Sequence, residues 1–483
     1  MFPVPAHTEK VRNADLVIVG AGAAGSAAGL QAVQGGAKVI MLEKQKITGG
    51  TGNFAEGPFA AESKPQARVG ILVTKDFAFD YMMEYSHWLA NPHLVRAFIN
   101  KSAETIDWLI EQGVAFHYVG AVHAGGPLTW HVIQGLGKAM MKILQERYQA
   151  AGGQVLLETS GKSLIQENGK VVGMIAKDKS GETLRINAKA VIIATGGYAN
   201  NKEMLEQYFP GFPEISFIGN VGKEGDGIKM AWAAGAAKEG LGIMQLYRLG
   251  IPGYSLASHL NAAYGQPVLF VDRRGRRFMD ESLITNWPLA GNAAIKVGGI
   301  AYSIFDAALL ESYKMIGLLV NPSAYLTTES KLTKFDEEFE KEMDSRRGNV
   351  FIADSIPDLA KQIGVNPAVL SATIDENNRF AEMHKDPVFG KDARLLRPIS
   401  RAPFYAVKVQ VRSLGTLGGV RINEKIEAVD EAGDAIPGLY VAGSDAGGLY
   451  GDSYDLMMAG STLGFAVNSG RMAAENALRY MGK

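Results

Sequence analysis

The chain has 483 residues, a formal net charge of −1 at pH 7, 47% hydrophobic and 20% charged residues, and no cysteine. Near-neutrality excludes a field that recruits nucleic acid or an anionic membrane. The missing thiols exclude disulfides, thiolate metal sites, iron–sulfur ligation and a redox dithiol within the chain. The length predicts two domains. No apolar run approaches the roughly 20 residues of a membrane-spanning helix. Residues Met1 to Lys10 show neither an apolar signal core nor a twin arginine. A cytoplasmic location is expected, with no membrane span and no nucleic-acid partner.

Residues 15–25 read Asp-Leu-Val-Ile-Val-Gly-Ala-Gly-Ala-Ala-Gly, an apolar strand entering a glycine turn with a helical pattern behind it. This is GxGxxG in the setting that gives it meaning. Gly20 allows the turn, Gly22 admits a pyrophosphate to the helix start at Ala23 and Ala24, and Gly25 lets helix and strand pack closely. A second strand, Lys38 to Leu42, ends at Glu43, 23 residues after Gly20, where an acid is placed to accept from a ribose hydroxyl. Further on, Asn91-Pro92 starts a helix and Gly113 stops it. A second helix runs from about Gly137 to Ala151. Short strands follow at Gln154–Thr159, Val171–Lys177 and Thr183–Ile186, with turns at Asn168-Gly169 and Ser180-Gly181. They lead into Ala190–Thr195, a strand that ends in Thr195-Gly196-Gly197. After about residue 240 the pattern becomes irregular, with charged helical segments at Lys334–Arg347 and Pro357–Ile363. It resumes near Phe404. At 438–448 another strand runs into a glycine turn containing Gly443, Ser444 and Asp445, and a helix from Ser461 to Tyr480 closes the chain. A late return of this kind suits FAD, whose distant flavin half needs a distant segment to hold it.

The three strand-turn pieces in this order resemble the flavoprotein family of fumarate reductases, succinate dehydrogenases and 3-ketosteroid dehydrogenases. Glu43-Lys44 with Gly49-Gly50, Gly225-Asp226-Gly227, Gly275 to Glu281 and Phe404-Tyr405-Ala406 extend the resemblance along nearly the whole chain. It implies an α/β fold: a Rossmann-type, glutathione-reductase-like FAD-binding domain (residues 1–239 and 401–483) with an inserted α+β cap domain (240–400). It also implies cofactor contacts at Gly20, Gly22, Ala23, Ala24, Gly25, Glu43, Lys44, Gly50, Thr51 and Gly57. Thr195, Gly196, Gly197, Asp226, Gly443, Ser444, Asp445, Ser461 and Leu463 complete that set. No histidine stands at 49–60, so non-covalent FAD is expected. With no cysteine, electrons must come from or go to an external partner.

The resemblance also marks what is missing. The fumarate-type arginine acid after Glu281 is absent, since Ser-Leu-Ile-Thr285-Asn286-Trp287 follows. The positions of the substrate-binding histidines and proton-relay residues fall at Tyr247, Asn261, Tyr264 and Gly415. A buried dicarboxylate without cationic partners would cost several kcal/mol per ion. The expected substrate is therefore a small molecule, neutral or singly charged, apolar or aromatic. The expected reaction is at a CH–CH or C=C bond beside a carbonyl. Tyr454, Tyr264 and Tyr247 are the candidate proton-handling residues, expected around one cleft. Two alternatives stay open: an oxygen-using oxidase or hydroxylase, and a non-catalytic electron-transfer subunit. His117 and His131 read as structural histidines, and Asp445 either serves the ribityl chain or points inward.

Overall fold

The structure is a computed structural model that describes residues 10–122, 125–209, 215–219, 222–255, 257–321 and 326–483. The chain divides into two compact units.

The first unit holds residues 1–209, 219–245 and 415–483. Its main sheet has six strands in the order Glu427–Val429, Ala435–Val441, Ala190–Ile193, Leu16–Val19, Val39–Leu42, Gln154–Leu156. All neighbours are parallel except the first pair, and Leu16 faces both Val39 and Ala190 in register. Every residue of Leu16–Val19, Val39–Leu42 and Ala190–Ile193 is buried, which explains why these strands read as continuous apolar runs rather than alternating ones. The helix Ala23–Gln34 is almost entirely alanine and glycine on its buried side. It packs against the closing helix Ser461–Tyr480 at very short range. A Cβ on Gly470 would lie 2.2 Å from the Ala24 carbonyl oxygen, so any side chain there would force the helices apart.

The expected helix after Asn91-Pro92 is Pro92–Gln112. The Asn91 side chain accepts from the amides of His93 and Leu94, and Gly113 ends the helix at φ +101°. A four-stranded sheet carries Lys10–Asn13, Thr183–Asn187, Lys170–Lys177 and Ser160–Glu167. The strand Ser160–Glu167 was not among the expected elements. Its mixture of Ser, Gly, Lys and Gln hides the period of two. The Asn168-Gly169 turn that joins it to its neighbour has both residues at positive φ, +51° and +75°, as a tight hairpin turn requires.

The second unit holds residues 210–218 and 246–414. The expected limits, 240 and 400, are displaced at both ends for identifiable reasons. Lys238–Glu239 pairs with Gly419–Val420, which keeps that stretch in the first unit. Phe404–Thr416 is the central strand of the second unit's sheet, pairing antiparallel with Ile300–Asp306 and Val350–Ala353 and parallel with Ser216–Phe217. Residues 401–414 therefore belong to the second unit. The charged segment near 334–347 forms the helix Phe335–Asp344, and Ile356–Gln362 follows. The helix Pro367–Met383 was not expected, although Asn366-Pro367 repeats the start signal of Asn91-Pro92.

Candidate active site

The three glycines of the first turn behave as their spacing demands. Gly20 adopts φ +106°, and a Cβ on it would lie 2.3 Å from the Ala194 carbonyl oxygen. A Cβ on Gly25 would lie 1.9 Å from the Gly20 oxygen, whereas one on Gly22 meets nothing within 4 Å. Open space therefore lies at Gly22, directly before Ala23 and Ala24, and no side chain caps this helix start. The helix Ser461–Tyr480 likewise begins uncapped after Gly460 at φ +87°. Two bare helix starts of positive potential, one beside an open glycine, fit a pyrophosphate and an electron-rich ring edge. This is the fit expected for FAD.

Glu43 is buried at the end of its strand and accepts from the Ala21 amide at 3.0 Å and the Gln45 amide at 2.8 Å. Those bonds fix its carboxylate beside the glycine turn. Lys44 binds Asp226 at 2.7 Å and Glu224 at 3.1 Å, which ties the second strand to the helix Asp226–Ala233. Gly50 and Thr51 begin a short 3-10 turn, and a Cβ on Gly50 would lie 3.7 Å from the Gly22 Cα, so this turn borders the same opening. A small cleft in the first unit is lined by Leu417, Gly443, Ser444, Tyr450 and Thr462. Ser461, buried, meets the Tyr450 hydroxyl at 3.1 Å, and Leu463 is buried in the same helix.

Two candidates are tied closely into the surrounding fold. Asp445 is fully buried, and its carboxylate accepts from the backbone amides of Thr195, Gly196 and Gly197 and from the Thr195 hydroxyl. Burial pushes its pKa up and these donors pull it down. These bonds tie Asp445 to the Thr-Gly-Gly turn, the inward-pointing alternative of the sequence reading. Gly57 is a packing glycine, since a Cβ there would lie 2.2 Å from the His131 carbonyl oxygen. His131 itself is buried between Ser63 Oγ at 2.6 Å and the Thr129 carbonyl at 3.0 Å. Burial holds its pKa down to about 4, a structural role.

The candidate tyrosines divide between the units: Tyr454 in the first, Tyr247 and Tyr264 in the second. Tyr454 is buried, and its hydroxyl is hydrogen-bonded by Gln245 and Thr462, which also bond each other at 2.9 Å. Next to it in the chain, Asp455 is 3% exposed, accepts from the Met457 and Met458 amides through Oδ1, and leaves Oδ2 without a partner among the described residues. Burial raises its pKa to about 7. Tyr264 is fixed differently: its hydroxyl accepts from the Ile251 amide at 3.1 Å and donates to Asn261. Tyr247 packs edge-on against Trp287 at 4.9 Å between centroids, with the Arg248 guanidinium 4.3 Å over the Trp287 ring.

Residues 275–281 form an internal ion network. Arg277 binds Glu281 through two nitrogens at 2.8 and 2.7 Å and Asp386 at 2.8 Å, and Lys391 reaches Glu281 at 3.3 Å. All four are buried. Arg277 is therefore spent on structure.

The sequence reading missed Lys223, Trp287 and Arg412. Lys223 is half-buried, its chain passes 3.4 Å from where a Cβ on Gly196 would lie, and burial lowers its pKa to about 8 against the pull of Asp445. A charged residue inside an apolar strand, as at Arg412, was the available signal.

Fold and cleft together define a dinucleotide-binding flavoprotein. A family model described as an FAD binding domain matches residues 15–460, and the chain belongs to that family. It is an FAD-dependent oxidoreductase. Over 477 residues, 96% of each chain, it is 35% identical to the vinyl phenol reductase of Lactiplantibacillus plantarum. It is 28% identical to a fumarate reductase (cytochrome) of Shewanella frigidimarina over 97% of this chain and 78% of that one. Among solved structures, the open form of a flavocytochrome c3 fumarate reductase aligns with TM-score 0.74 at 25% identity, covering 98% of this chain and 79% of that one. A 3-ketosteroid delta1-dehydrogenase from Sterolibacterium denitrificans aligns with TM-score 0.79 at 21% identity, covering 97% and 100%, a likeness of fold. Among the described residues no helix is long and apolar enough to cross a membrane, and no cluster of side chains could hold a metal ion.

Proposed function

We propose that this chain reduces a carbon–carbon double bond conjugated to an aromatic ring or a carbonyl, on a flat substrate carrying at most one negative charge. One observation carries the reading. Where the resemblance places an arginine acid and an anion grip, the chain has Tyr247 packed on Trp287 with Arg248 stacked above. That is a surface for a ring. The name of the Lactiplantibacillus plantarum relative, 35% identical along the chain, agrees with a neutral aromatic alkene.

FAD, held non-covalently at the Gly20–Gly25 turn and the start of Ser461–Tyr480, would supply the hydride. The chain's task is then the proton for the other carbon. Tyr454 Oη is the proposed donor. Its loss of a proton leaves a phenolate that Gln245 and Thr462 already solvate. Asp455, whose burial raises its pKa to about 7, is the proposed proton reserve behind it. The electron donor is a separate molecule.

The test is anaerobic turnover with a reduced viologen dye. Oxidation of the dye by vinyl phenols, cinnamates or enones, with fumarate inert, is the expected outcome. Rapid turnover of fumarate, or of no alkene, refutes the reading.

A further inference from the structure

Arg412 stands in the strand Phe404–Thr416, and its side chain is 4% exposed. Its Nε and Nη1 have no hydrogen-bond partner among the described residues. A guanidinium taken out of water costs several kcal/mol unless an opposite charge meets it. Open buried donors of this kind point to a missing acceptor.

Among the described residues the neighbourhood supplies none. A Cβ on Gly250 would lie 2.8 Å from Tyr264 Oη and 3.2 Å from Arg412 Nη1, so the phenol and the guanidinium converge on one point that only glycine leaves open. Tyr264 is neutral there, its pKa pushed to about 12 by burial. The carboxylate that Tyr264 senses, Glu342, is already held by Arg347, Asn349 and Tyr254. Tyr264 also senses Arg248, the cation that covers Tyr247 and Trp287. The second unit thus holds both an aromatic pair and a buried guanidinium whose Nε and Nη1 have no partner among the described residues.

We propose that Arg412 determines specificity by binding a single anionic oxygen of the substrate, a carboxylate or a phenolate conjugated with the double bond. This deepens the proposed reduction of a conjugated alkene and rests on it.

The test uses the FAD-loaded full chain and saturated ligands that cannot be reduced: phenylpropanoate, para-ethylphenol, and para-ethylanisole, whose oxygen cannot ionise. Binding is measured by calorimetry. The wild type should bind phenylpropanoate or para-ethylphenol at least ~10-fold more tightly than para-ethylanisole. Arg412→Gln should weaken the tighter ligand ~10–100-fold, the worth of a charged hydrogen bond, and leave para-ethylanisole within ~3-fold. The ligand that responds names the source of the oxygen. Arg412→Lys, which keeps a cation, should recover part of the loss, and it carries the same comparison if the glutamine variant does not fold. Equal affinity for all three ligands in the wild type overturns the proposal. So does unchanged binding in the variant, or a loss by the same factor for all three ligands, which marks a structural arginine. Because no ligand turns over, failure to reduce any alkene would sink the proposed reaction while leaving the anion site standing.

Discussion

Asp455→Asn should remove a pH dependence from the folding of this protein. The wild-type carboxyl is raised from an ordinary 3.8 to about 7 by burial, and one of its oxygens has no partner among the described residues. Between these two values the folded chain holds a proton that the unfolded chain has released, so stability falls as pH rises through that window and levels off above it. The full shift of about 3 units corresponds to about 4 kcal/mol, and roughly 3 kcal/mol of it is lost between pH 5 and pH 8. Asparagine keeps the volume and cannot ionise. Urea unfolding of FAD-loaded wild type and variant at pH 5 and pH 8 isolates the term, because every other titrating group cancels in the difference. The variant should gain roughly 3 kcal/mol on the wild type across that interval. Parallel profiles, within about 0.5 kcal/mol, would show that Asp455 is ionised and solvated in the fold. It could not then be the proton reserve behind Tyr454.

The glycine turn gives a paired prediction. Gly22→Val meets open space, so the chain should fold normally and lose FAD, read as a colourless protein with an unchanged circular dichroism spectrum; normal flavin content refutes the pyrophosphate path. Gly25→Ala places a carbon 1.9 Å from a backbone oxygen and should instead impair folding itself, which soluble yield and thermal melting will report. Tyr454→Phe keeps the ring and removes the hydroxyl, so turnover should fall ~10²–10⁴-fold with FAD still bound, and near-wild-type turnover excludes it as the acid. Arg277→Met leaves Glu281 and Asp386 buried without their shared cation and should cost about 3–5 kcal/mol in denaturant unfolding. FAD should be released by acid precipitation; flavin that stays with the pellet would mean a covalent link.

The start of the first unit was legible in the sequence. Strand, turn and helix at residues 15–34 are local: Gly20 adopts φ +106° in the turn and Gly25 packs against the Gly20 oxygen. The helix Pro92–Gln112 was legible for the same reason, since its caps are its own flanking residues. What the tertiary structure decided are the partnerships between distant residues. The sequence leaves open whether Asp445 points inward; its carboxylate is bonded by the Thr195 hydroxyl and the Gly196 and Gly197 amides, 248 to 250 positions away. The second unit's limits follow from Phe404–Thr416 pairing with strands about a hundred residues earlier, which no local composition announces. In the sequence Arg412 stands out only as a charge inside an apolar strand. Its significance is that nothing among the described residues pairs with its Nε and Nη1. The absence of a partner is a property of three-dimensional surroundings, because burial sets the cost of the charge and only packing sets burial.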